Sequence, residues 1–122
     1  MTAEQILDRM EQLNAQIRET VSKRGDDLSG QIVSLRHDFT TECGNFLMAM
    51  SADARIFGNR DLFSQMQTDL EAMRLLLSGH QLKWQSNAIE ADNEAYSRAS
   101  ANTFTMVSDF IANARAQISA DQ

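Results

Sequence analysis

The two histidines and the single cysteine are this sequence's best candidates for metal binding or nucleophilic catalysis. His37, Glu42 and Cys43 lie close together, but steps of five and six residues rotate them away from a common helix face. A zinc site would have to recruit His80 and another ligand from a distant segment. Nothing identifies a base within reach of Cys43, so its thiol reads as a small buried apolar group rather than a nucleophile. HExxH, paired CxxC, a Gly-rich phosphate loop and the ExxH repeats of di-iron bundles are all missing. The residues therefore predict no metal, no cofactor and no enzyme activity.

One short segment carries a mechanism. Gly79-His80-Gln81-Leu82-Lys83-Trp84 resembles the phosphorylation box of histidine phosphotransfer domains, which are acidic, all-α, cytoplasmic four-helix modules that relay phosphoryl groups between receivers. His80, Leu82 and Lys83 match that family's His-x-Leu-Lys-Gly pattern; Trp84 stands where the family has Gly, and only 42 residues follow His80, where the family has two full helices. The resemblance implies that His80 is the phosphoryl acceptor, with Lys83 one helical turn away to offset the developing charge.

The elements that would position these residues are helical throughout. The sequence has no proline and five glycines, which leaves little punctuation for strands and turns. Apolar residues recur at helical spacing in four stretches, predicting an all-α, antiparallel bundle of four long helices at about 3–24, 27–57, 60–78 and 81–119, in a single helical domain over 1–122. Thr2 and Gln5 form a capping box for the first helix, which closes at Arg24-Gly25-Asp26 with Gly25 available for the left-handed conformation. The second stretch holds a 3.6-residue period, and Gly44 within it suggests a kink or a close backbone approach. Phe63, Met66, Leu70, Met73 and Leu77 define the third, and the run Leu75-Leu76-Leu77 makes it apolar around more of its circumference, so it is predicted to be the central helix. Ser78-Gly79 reads as its stop. An unbroken helix over 81–119 would span roughly 60 Å, longer than a compact domain of this size, so either a fifth segment created by a break near Asp92 or a covering partner is implied.

A net charge of −6 and a pI near 4.7 argue against nucleic acid and anionic membranes as partners. Dividing the chain after Asp61 leaves −3 on each side, so neither end is a charged tail. No stretch reaches the roughly 18–20 apolar residues of a transmembrane segment, and no secretory signal is visible; with one cysteine, the expectation is a cytoplasmic protein with a native start at Met1. The leading functional expectation is a non-enzymatic bundle acting as an adaptor, chaperone-like or assembly protein, through a protein partner or as a homo-oligomer. Its candidate interface is Trp84, Ala88, Ala91, Ala95, Ala99, Phe104, Val107 and Ile111, a narrow small-residue face followed by a conventional apolar stripe. Phosphotransfer through His80 is the first alternative. A coat on a hydrophobic surface is the second, because the Ala/Ser-rich stretch Ala88–Ala101 looks like the helices of phasins, the coat proteins of polyester storage granules.

Overall fold

The computed structural model describes residues 1–120; residues 121 and 122, the end of the predicted domain, lie outside the described residues. Six α-helices account for nearly all of the described chain: α1 (Ala3–Lys23), α2 (Leu28–Ala52), α3 (Ala54–Phe57), α4 (Arg60–Lys83), α5 (Ser86–Ala91) and α6 (Asn93–Ala120). The predicted capping box opens α1, with the Thr2 hydroxyl accepting from the Gln5 amide at 3.1 Å and the Gln5 side-chain oxygen accepting from the Thr2 amide at 2.9 Å. At the other end the left-handed conformation falls on Arg24 (φ 49°) and Asp27 (φ 56°), not on Gly25. Because α1 runs through Lys23, the capping position lands on Arg24.

Three of the predicted helix limits move, each for a local reason. The stretch 27–57 is divided at Asp53, whose carboxylate accepts from the Arg55 amide at 3.0 Å and caps α3. The third helix does not stop at 78. A glycine inside a helix costs about 1 kcal/mol relative to alanine, and Leu77 and His80 pack inward on either side of Gly79, which outweighs that cost. Instead α4 ends at Trp84, whose carbonyl is taken by the Arg36 guanidinium at 2.7 Å and so is turned away from a continuing helix. The stretch 81–119 is broken there and again at Asp92, near the predicted position, where the Asp92 carboxylate accepts from the Ala95 amide at 3.0 Å and starts α6. The 28 residues of α6 span about 42 Å. Gly44 lies inside a continuous α2 and admits no close neighbour: a Cβ added there would meet nothing within 4 Å.

The long helices α1, α2, α4 and α6 run alternately up and down. Asn14 of α1 donates to the Phe104 carbonyl of α6 at 3.2 Å, while Arg115 reaches back to Asp8 at 2.6 Å and Glu11 at 2.8 Å, fixing α6 antiparallel to α1. Arg55 similarly ties α3 to the start of α1 through Glu4 at 2.8 Å. The main core fills one end of the bundle with Leu7, Met10 and Leu13 of α1, Phe46 and Met50 of α2, Leu70 of α4, and Phe110 and Ile111 of α6. A smaller cluster closes the other end with Val21, Leu28, Ile32, Ile89 and Tyr96.

The prediction that 60–78 forms the central helix is not met. Each long helix packs between two neighbours, α1 and α4 each between α2 and α6, so none is enclosed by the others; α4 is lightly packed, burying Met66, Leu70 and Met73 and leaving Leu75 and Leu76 at 75% and 61% exposure. The bundle covers α4 on one face only, so an apolar run longer than that face remains outside.

Candidate functional site

His80 sits in the last turn of α4 and turns toward α6, where it is half-buried. Its ring stacks on Tyr96 with centroids 5.8 Å apart, and its Nε2 lies 3.5 Å from the Ser100 hydroxyl. Behind it is Arg36 from α2, only 9% exposed, which donates to the Trp84 carbonyl at 2.7 Å and to the Tyr96 hydroxyl at 3.4 Å, with its guanidinium 5.6 Å from the Tyr96 ring centre. Trp84 completes the group, tilted against Tyr96 at 5.6 Å. Asn14, Arg36, His80, Tyr96, Thr103 and Phe104 help to line a cavity of about 30 Å³. That volume holds a water molecule or two, not a substrate.

Burial, reinforced by the positive charges of Arg36 and Lys83, pushes the His80 imidazolium pKa down to about 4. The imidazole is therefore neutral at physiological pH. An unfolded chain takes up this proton near pH 6.5 whereas the folded one resists until about 4, so the unfolded state holds more protons in between and stability falls as pH drops through that window. Allowing for the partial solvent access of the ring, the loss should be about 1–2 kcal/mol. Glu4 and Asp53, held below their ordinary values mainly by hydrogen bonds from Arg55, contribute only at lower pH. Unfolding midpoints at neutral and mildly acidic pH should differ in the wild type, and His80→Gln should remove most of the difference; a wild type equally stable at both would contradict this placement of the ring.

The structure separates the residues grouped by the sequence. Lys83 is exposed, its ammonium 5.9 Å from the Trp84 ring, while His80 faces inward, so the pair does not present one open surface. A receiver would have to displace the Tyr96 and Ser100 contacts to reach Nε2. In the candidate interface, Val107 and Ile111 are buried in the main core and Phe104 and Trp84 pack against the smaller cluster. Ala88, Ala95 and Ala99 are half-buried and only Ala91 is exposed. The break at Asp92 explains this, because it lets α5 fold back on α2 with Ile89 fully buried, so that much of the small-residue face is covered by the chain itself.

Val33 and Met48 on α2 and Phe57 on α3 are exposed singly, whereas the outer side of α4 exposes three leucines together. Leu75, Leu76 and Leu82 are 75%, 61% and 73% exposed, and Thr68, Ala72 and Gly79 beside them are also exposed. Grooves of about 460 Å³ toward α2 and about 510 Å³ toward α6 flank the helix and leave it standing as a ridge. Sequence reasoning missed this surface. Its signal is a second row at steps of four and three, 68–72–75–79–82, opposite the core row 66–70–73–77.

Cys43 is buried, and desolvation pushes its thiol pKa up to about 11, which leaves it unreactive. Among the described residues no three of His, Cys, Asp and Glu converge on a point that could hold a metal ion, and no helix is long and apolar enough to cross a membrane.

Fold and surface together define an all-α bundle whose distinguishing feature is one outer helix that is apolar on two sides. Compared with protein-family models, with curated proteins and with solved structures, the chain matches none.

Proposed function

We propose that this chain is a non-enzymatic helical-bundle protein that works by association, in an adaptor or assembly role, with the outer face of α4 as its working surface. The observation that carries this reading is the exposure of Leu75, Leu76 and Leu82 together on one helix, where scattered exposure of single leucines would need no explanation. The water-sized cavity beside His80 and the shielded Cys43 support a role without chemistry. A lone buried thiol agrees with a cytoplasmic setting.

If the three leucines serve binding, replacing them should change surface chemistry and leave folding alone. The variant carrying Leu75→Gln, Leu76→Gln and Leu82→Gln is expected to unfold within about 1 kcal/mol of wild type, since substitutions at exposed helix positions have small effects. Dilute wild type should enhance the fluorescence of anilinonaphthalene sulfonate, and the variant should not. A loss of several kcal/mol in the variant, or no dye response in the wild type, would overturn the reading.

A further inference from the structure

We propose that the occupant of the α4 face is a second copy of this chain, laid antiparallel along α4 about a two-fold axis at Leu76. The inference deepens the reading above and rests on it. Thr68, Ala72, Leu75, Gly79 and Leu82 form a seam with the four-three spacing by which paired helices interlock, roughly 21 Å long, and each is exposed.

Charge selects the partner. The chain carries −6, yet α4 is neutral, with Arg60, Arg74 and Lys83 set against Asp61, Asp69 and Glu71. The helix α6 is neutral as well, with Arg98 and Arg115 against Glu94 and Asp109, so two copies approach along α4 or α6 with less repulsion than along the acidic remainder, and of these two α4 carries the exposed leucines. Along the outer part the acids come first, at Asp69 and Glu71, Arg74 follows on the side of the groove toward α2, and Lys83 ends the helix, so the half before Leu76 is net acidic and the half after it net basic. An antiparallel copy sets acidic half against basic half and opposes the two helix dipoles. Asp69, Leu76 and Lys83 are seven residues apart on one flank, so a two-fold axis at Leu76 puts Asp69 level with Lys83 of the partner subunit, and the converse, with the two Leu76 side chains facing each other between them. A partner of uniform charge would match only half of this pattern.

Shape agrees with the same register. The partner subunit's Leu75 falls between Leu75 and Gly79, where a Cβ added to Gly79 would meet nothing within 4 Å in its own chain. The partner subunit's Leu82 falls between Thr68 and Ala72, two other small residues of the seam. An exposed glycine inside a helix has no intramolecular use here, whereas at a helix crossing it admits a neighbouring side chain. A single-helix contact of this length is small, so the dimer is expected to be weak and readily reversible.

Sedimentation over a range of protein concentrations tests the proposal. Wild type should pass from monomer to dimer without forming larger species, because a two-fold contact closes on itself. Leu75→Glu should weaken the dimer about a hundredfold or more by burying a charge in the seam, and Gly79→Gln, which favours the helix, should weaken it by filling the space opposite Leu75. Asp69→Lys alone should weaken it about tenfold through two like-charge contacts, and adding Lys83→Asp should restore it. A monomer at every concentration, a dimer indifferent to Leu75→Glu, or no rescue by the double reversal would overturn the proposal. Dye binding by a protein that stays monomeric would keep the α4 face as a binding surface but assign it to a different protein or to a hydrophobic surface.

Discussion

Tyr96→Ala is expected to lower folding stability by about 3–5 kcal/mol, the usual loss when a large buried aromatic is truncated. Tyr96 is 1% exposed and contacts Arg36, His80 and Trp84 together, so its removal leaves a void in the smaller cluster and loosens the end of α4. Tyr96→Phe keeps the ring and gives up a single 3.4 Å hydrogen bond from Arg36, which should cost only about 1 kcal/mol. Urea unfolding of the two variants checks the comparison. Equal losses would show that the hydroxyl, and not the ring, holds the cluster together.

Arg36→Met should cost about 1.5–3 kcal/mol, the usual worth of a hydrogen bond to a charged group, because the 2.7 Å bond to the Trp84 carbonyl is lost while the long side chain still fills its space. Among the described residues no carboxylate pairs with this buried guanidinium; the Trp84 carbonyl and the Tyr96 ring and hydroxyl offset its charge. That charge also bears on His80. Removing it should raise the His80 pKa from about 4 toward the ordinary histidine value, which a proton NMR titration of the ring would follow. An unmoved titration would mean that the guanidinium does not act on the imidazole as its position implies.

Helical class, the first capping box and the break near Asp92 were legible because each depends on residues within a few positions of one another. Asp92 followed by Asn93 reads as a cap, and the Asp92 carboxylate caps α6. The environment of His80 was not legible. Arg36 and Tyr96, which frame it, are sixty residues apart, and only the folded bundle brings them together. Nor does amphipathicity say which of several apolar faces will be covered. The Leu75-Leu76-Leu77 run and the Val107–Ile111 stripe look equally fit for a core, but α6 lies against α1 and buries its stripe, while α4 is lightly packed and buries only part of its own. A helix apolar on two opposite sides fits a central position and an outer, half-covered one equally well.

The measurement that bears most directly on this account is amide hydrogen exchange along α4, compared between dilute and concentrated protein. Exchange on the solvent-facing side, around Ala72, Leu75, Leu76, Gly79 and Leu82, should slow with concentration, while the inward-facing amides of α1, around Leu7, Met10 and Leu13 in the main core, should exchange at a rate that does not depend on concentration. Protection that grows on α4 and not on the outer faces of α2 or α6 is the predicted result. Exchange along α4 that does not change with concentration, or protection that grows elsewhere in its place, would contradict the assignment of this face to a second copy of the chain.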